Sequence, residues 1–336
     1  MVRLRRVSPD TTGWTRRRAG KGFTYLDETG ARLSADHVAR IRSLVIPPAW
    51  QDVWICPHPN GHIQAVGVDA AGRKQYLYHP DWRTKRDAEK FDRVLEIART
   101  LPATRAVVRE HIALDGMPLE RAGAAAVRLL DLGFFRIGSD TYADENGSFG
   151  LTTLRRQHVT RRRGTLVFCF VGKSGVEHCI EIDDPLSVAA VETMRRRRSQ
   201  DERLMAYQEH RRWSPLDAHR VNEYLRTSTG GDMTAKDFRT WHATVLAAAA
   251  LAAGDEPGDT KASRKRAVRK AMVEVSTYLG NTPAIAKASY VDPRVVDQYE
   301  GGVTIADALH EDYATTEERQ EGLERAVLQL LADAPG

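Results

Sequence analysis

Between Gly22 and about Trp82 the chain carries short apolar or alternating stretches, FTYLD, DVWICP, GHIQAVGVD and KQYLYH, rich in aromatic and β-branched residues and separated by Gly, Pro, Asn and Asp. That pattern predicts strands joined by turns. Between the first two, SADHVARIRSLV has helical spacing, with Ser34 placed to cap its start and Ile46-Pro47-Pro48 to end it. After Trp82 the period changes. Over residues 84–99, Phe91, Val94, Leu95 and Ala98 share one helical face, and residues 118–132 begin with Pro118 at the first helical position and stop before Gly133. Helical patterns recur over 185–210, 215–226, 234–253, 261–279 and 303–332. One stretch breaks the run: TLVFCFVGKSGVEHCIEI is two apolar segments around Gly-Lys-Ser-Gly, which predicts a hairpin with Lys173 at its tip. The expectation is an α+β chain, with a small β-rich domain over residues 1–83 and a larger, mainly helical domain over 84–336 that holds a small antiparallel sheet.

A length of 336 residues exceeds what one core usually holds, in keeping with two domains. With 42% hydrophobic and 28% charged residues, the composition excludes disordered, collagen-like and heptad-repeat classes. No apolar run reaches membrane-spanning length, and the basic N-terminus lacks the apolar core of a signal peptide, so a soluble, cytoplasmic protein with no membrane partner is expected. Cys56, Cys169 and Cys179 are scattered with no CxxC pair, and all three are expected to be reduced packing residues. The formal net charge of +5 is modest, but its distribution is not. Ten acids against Arg319 and Arg325 give the segment 297–336 a net −8, leaving +13 on residues 1–296. A basic body suits a polyanion, although an unevenly charged solvated surface explains the same numbers. Basic clusters at Arg16-Arg17-Arg18 with Lys21, at 155–163 and at 261–270 punctuate folded segments, as phosphate contacts around a groove would.

Standard catalytic machinery is missing from the sequence. VGKSG lacks the spaced glycine and the following helix of a nucleotide-binding phosphate loop, so no nucleotide is expected. His58 and His62 sit in a Pro/Gly loop and do not share a helical face, and no compact Asp/Glu cluster is present, so no metal is expected. Cationic residues in unusual settings remain. Arg136 lies between Phe135 and Ile137-Gly138 just past a helix end, Lys173 sits between glycines on a turn, and Arg239 lies beside Phe238 and Trp241 at a helix start. In LGNTPAIAKASYVDP, Gly280 ends one helix, Thr282 and Pro283 start another, and Tyr290 closes it about two turns later. Asn281 lies outside that short helix, so it and Tyr290 can address one ligand. Taken singly, each of these residues is better explained as structural or solvated.

Taken in order, FFRIGSDTY, the GKSG hairpin, KDFRTW and LGNTPAIAKASYVDP resemble the compact type IB DNA topoisomerases of bacteria and poxviruses over roughly residues 20–310. The resemblance implies the fold shared by those enzymes and the tyrosine recombinases, and double-stranded DNA as the partner of a monomer that clamps it. It implies Tyr290 as the nucleophile, Arg136 and Arg239 on the nonbridging oxygens of the scissile phosphate, Lys173 as the acid for the 5′-oxygen, and Asn281 as a further hydrogen-bond donor. No cofactor is implied. Poxvirus enzymes carry a histidine where this chain has Asn281, and an amide donates a hydrogen bond but carries no titrating proton. In GRKQYLY, Arg73, Gln75 and Tyr76 match the family's DNA-facing strand, with Gln75 placed to read a base edge. Tyr142 matches a DNA-contacting tyrosine, although Ser139 and Thr141 replace poxvirus lysines beside it, and Lys236 is a further candidate DNA contact.

Two other classes fit part of the pattern. Tyrosine recombinases share the tyrosine, arginines and lysine, but usually place histidine three residues before the second arginine, where this chain has Lys236. A non-catalytic architectural DNA-binding protein would have the same basic body without a need for all five residue types.

Overall fold

The computed structural model describes residues 3–133, 135–140, 143, 147–254 and 260–332, and these form two compact units, Met1–Asp92 and Arg93–Gly336. The first is built on a five-stranded antiparallel sheet of order β2-β1-β3-β4-β5. Its strands are β1 (Trp14–Ala19), β2 (Gly22–Leu26), β3 (Gln51–Ile55), β4 (Ile63–Val68) and β5 (Lys74–Tyr78). Helix α1 (Ala35–Ser43) starts on Ser34, whose hydroxyl accepts from the His37 amide at 3.4 Å. Trp14, Ile41, Val53, Ile55 and Ala65 form the core. β1 is hidden in the sequence by its arginines. Arg16 is one reason it forms: its guanidinium donates to the carbonyls of Pro47 at 2.7 Å and Trp50 at 2.8 Å and lies over the Phe23 ring, so one member of that basic cluster is structural.

Helix α2 (Pro80–Ile112) runs through the expected boundary near residue 83, and the compact units divide inside it, between Asp92 and Arg93. The second unit is organised around α3 (Leu119–Gly133), whose run of Ala, Val and Leu is buried almost all round. Strands β6 (Val159–Arg162), β7 (Thr165–Val171) and β8 (Glu177–Ile182) form an antiparallel sheet, with Lys173 in the β7–β8 turn as expected. Around them lie α4 (Pro185–Arg196), α5 (Ala218–Thr229), α6 (Ala235–Ala252), α7 (Lys261–Leu279), α8 (Pro283–Ser289), α9 (Pro293–Glu300), α10 (Ala306–His310) and α11 (Thr316–Ala332).

Three expectations are corrected. The helical pattern of 185–210 stops at Arg196, and a hairpin of β9 (Ala206–Glu209) and β10 (Arg212–Pro215) follows. Its two-residue turn, His210 and Arg211, has φ of 48° and 65°, the conformation usually signalled by Asn-Gly, so ordinary turn chemistry does not announce it. The pattern of 303–332 is two helices, not one. Cys169 and Cys179 are not reduced: they form a disulfide across β7–β8, where strand register pairs them directly with Cα atoms 4.3 Å apart, and only Cys56 is free. Register is set by the hairpin, which a count of cysteines does not see.

The acidic C-terminal segment is part of the second unit's core. Leu323, Val327, Leu330 and Leu331 are buried, and Glu324 joins a buried ion network in which Arg105 donates to both Asp131 and Glu324 at 2.8 Å and His242 lies 3.1 Å from Asp131. Burial alone would raise the Asp131 carboxyl, but Arg105 and His242 outweigh it and hold it well below the usual carboxylate range. Among the described residues, no helix is long and apolar enough to cross a membrane.

Candidate active site

Arg136 is placed by a backbone clamp. The buried Phe135 anchors the segment after α3, the Arg136 and Ile137 carbonyls accept from the Leu151 and Thr152 amides at 2.8 Å, and Gly138 and Gly150 approach so closely that a Cβ on Gly150 would lie 2.5 Å from the Gly138 Cα. Arg239 is placed by α6, which starts on a reciprocal cap between Thr234 and Asp237 and packs Phe238 and Trp241 into the core. The Arg239 side chain is 5% exposed, and its guanidinium donates to the Leu279 carbonyl at 2.7 Å. That bond ties α6 to the end of α7, where Gly280 (φ +58°) makes the left-handed cap expected of it.

Tyr290 follows from the same caps. The Thr282 hydroxyl accepts from the Ile285 amide, Pro283 starts α8, and Tyr290 closes it with its amide bonded to the Ala286 carbonyl at 3.0 Å. The Thr244 hydroxyl, on α6, lies 3.3 Å from the Tyr290 carbonyl and accepts from the Asp292 amide at 3.1 Å, fixing the backbone on both sides of Val291. Arg136 donates to the Tyr290 hydroxyl at 3.3 Å, and the Arg239 guanidinium lies 5.6 Å from its ring centroid. Burial alone would raise the phenol's pKa, but the charges and hydrogen bonds of Arg136 and Arg239 outweigh it and hold it below its ordinary value of 10.0. Burial, and then the Arg136 charge, pull Arg239 down to about 10.

Lys173 is exposed in the β7–β8 turn, beside Ser174 at φ 66°, and shares with Arg136 a cleft of about 120 Å³ lined also by Gly138, Ser139, Ser148, Phe149 and Gly150. Asn281, next to Gly280, has both side-chain amide atoms buried without a hydrogen-bond partner. Such atoms are costly unless a ligand or an ordered water engages them. Lys236 is exposed in the first turn of α6.

In the first unit the structure separates residues that the sequence grouped. Side chains alternate along β5, so Gln75 and Tyr76 lie on opposite faces. Gln75 and Arg73 are both held by Asp69, at 2.9 and 2.8 Å, whereas Tyr76 and Tyr78 stack with centroids 5.9 Å apart and are 39% and 42% exposed. Tyr78 is a further candidate contact, and its two-residue spacing from Tyr76 is the sequence signal that places both on one face. Thr244 carried no such signal. Tyr142 lies outside the described residues.

A five-stranded antiparallel sheet and a helical unit that gathers two arginines around a helix-capping tyrosine are consistent with the type IB topoisomerase fold. The chain matches the family described as eukaryotic DNA topoisomerase I, catalytic core, over residues 79–316, and the bacterial DNA topoisomerase IB N-terminal domain over residues 22–69. It is similar to the DNA topoisomerase 1B of Acanthamoeba polyphaga mimivirus, 27% identical over 300 residues that cover 86% of this chain and 88% of the relative. Vaccinia virus (strain Copenhagen) DNA topoisomerase 1B is 26% identical over 113 residues, 34% of this chain and 36% of the relative. DNA topoisomerase 1 of Schizosaccharomyces pombe is 26% identical over 167 residues, 49% of this chain and 19% of the relative. The chain belongs to the type IB DNA topoisomerases, a family of DNA-binding enzymes.

Proposed function

We propose that the enzyme relaxes supercoiled duplex DNA through a transient single-strand nick carried by Tyr290. The observation that supports this most is the Tyr290 hydroxyl held by Arg136 beside the buried Arg239. The depressed phenol loses its proton to solvent, and its oxygen attacks phosphorus. The bond from phosphorus to the 5′-oxygen breaks, leaving a 3′-phosphotyrosyl link and a 5′-hydroxyl, and Lys173 supplies the proton that the leaving oxygen takes up. Arg136 and Arg239 donate to the nonbridging oxygens, where negative charge grows in the transition state; their planar forks suit two oxygens at once. The two unsatisfied amide atoms of Asn281 support a hydrogen bond to the same phosphate. Religation is the reverse step: the 5′-hydroxyl attacks and Tyr290 leaves. The arginines supply the charge neutralisation, so the reaction is expected to run without ATP or metal, on a monomer that clamps duplex DNA.

The test is relaxation of a negatively supercoiled plasmid in EDTA without nucleotide, by the wild type and by Tyr290→Phe. The wild type should relax any plasmid without a paired recombination site and form a covalent adduct, and the variant should bind duplex normally and form none. An adduct in the variant would overturn the assignment of the nucleophile.

A further inference from the structure

A stack of three rings runs beneath the candidate active site. Phe135 lies parallel to Phe170 on β7 with centroids 6.0 Å apart, and Phe170 lies parallel to His178 on β8, its register partner, at 5.3 Å. One ring of this stack and two glycines that touch His178 each immediately precede a candidate catalytic residue. Phe135 precedes Arg136. Gly172, which precedes Lys173, has its missing side chain replaced by the His178 ring: a Cβ there would lie 2.6 Å from the imidazole Cδ2. Gly280, which precedes Asn281, meets the same ring, and a Cβ there would lie 2.2 Å from Cε1. Gly280 also needs its left-handed backbone, at φ +58°. Gly172 does not, since its φ of −94° suits any residue, so the imidazole is what the glycine at 172 accommodates.

We infer that His178 is a positioning residue, the spacer whose ring sets the separation between the Lys173 turn and the Asn281 loop and seats both on the Phe135–Phe170 stack that carries Arg136. This inference rests on the function proposed above. The ring's two contacts join loops that are more than a hundred residues apart. A ring in van der Waals contact with both backbones resists compression because packed interiors have little free volume. Burial, and then the charges of Arg239 and Arg136, hold the imidazole pKa below its ordinary value, which favours the neutral ring. Removing the ring leaves the two loops free to shift, and a displacement of about 1 Å at a reacting group can cost on the order of 10²-fold in rate.

The test is single-turnover cleavage of a nicking substrate in two forms, one with the natural 5′-oxygen leaving group and one with sulfur in its place, which departs as a thiolate without needing a proton. His178→Ala should slow cleavage of the oxygen substrate by about 10²-fold, lose much less on the sulfur substrate because Lys173 is bypassed, and bind duplex as the wild type does. His178→Phe, which keeps a flat ring in the stack, should retain most of the activity. Gly172→Ala alone should slow the oxygen substrate, and adding it to His178→Ala should cost nothing more, because the new methyl enters the space that the ring vacated. Wild-type rates for His178→Ala, equal losses on both substrates, or purely additive effects of Gly172→Ala and His178→Ala would overturn the inference while leaving the proposed function intact. Failure of the wild type to cleave either substrate would overturn both.

Discussion

The candidate DNA-facing strand of the first unit and the candidate active site of the second are built in opposite ways. Arg73, Gln75, Tyr76 and Tyr78 come from one continuous segment, lie on or beside a sheet edge, and are held by near neighbours such as Asp69. Arg136, Lys173, Arg239, Asn281 and Tyr290 come from separate elements, and their placement depends on core contacts: a glycine clamp, a capping box, and an arginine bonded across to another helix's end. A surface that binds a backbone tolerates side chains that adjust. A site that stabilises a transition state needs donors fixed before the substrate arrives, and burial in a well-packed unit supplies that.

If this contrast is right, stability changes in the second unit should reach its chemistry while leaving the first unit folded. Glu324→Ala, which strips Arg105 of a buried partner, should destabilise the second unit by ~3–5 kcal/mol. Hydrogen exchange should show the loss there, with protection of β1–β5 unchanged; a neutral result would mean that the acidic C-terminal helix is dispensable. Arg136→Ala should slow cleavage by about 10²–10³-fold. It should also move the pH profile. With Arg136 present the phenol titrates below 10.0, so cleavage should rise with pH and level off below that point. Without Arg136, burial is less opposed and the plateau should shift upward, as rates measured between pH 6 and pH 11 would reveal. Tyr76→Ala, on the adaptable surface, should weaken duplex binding by ~1 kcal/mol and leave the cleavage rate at saturating DNA nearly unchanged; a large rate effect would blur the distinction.

The two regions also differ in how far the sequence disclosed them. Local signals were legible where the physics is local. Gly280, Thr282 and Pro283 set the end of α7 and the start of α8 through backbone conformation and capping, and they fix Tyr290 at the helix end from a dozen adjacent residues. The four strands β2–β5 followed from alternation and turn residues. What stayed hidden depends on partners distant in the chain. β1 reads as a basic cluster because Arg16 finds its acceptors at Pro47 and Trp50. The Cys169–Cys179 bond depends on register, and the β9–β10 turn uses His and Arg in a conformation that they rarely announce. In the sequence His178 is one histidine in a hairpin, since its contacts with Gly172 and Gly280 exist only in the folded chain. The order of five residue types made the site recognisable, but the side chains that hold the five in place were not.

The most direct test of the central claim is to trap the covalent complex on a plasmid, digest the protein, and identify both the DNA end and the peptide that remain joined. The account predicts a single tyrosine-containing peptide linked through Tyr290 to the 3′-phosphate, with a free 5′-hydroxyl on the other side of the nick. A link to the 5′-phosphate, or to any residue other than Tyr290, would contradict it.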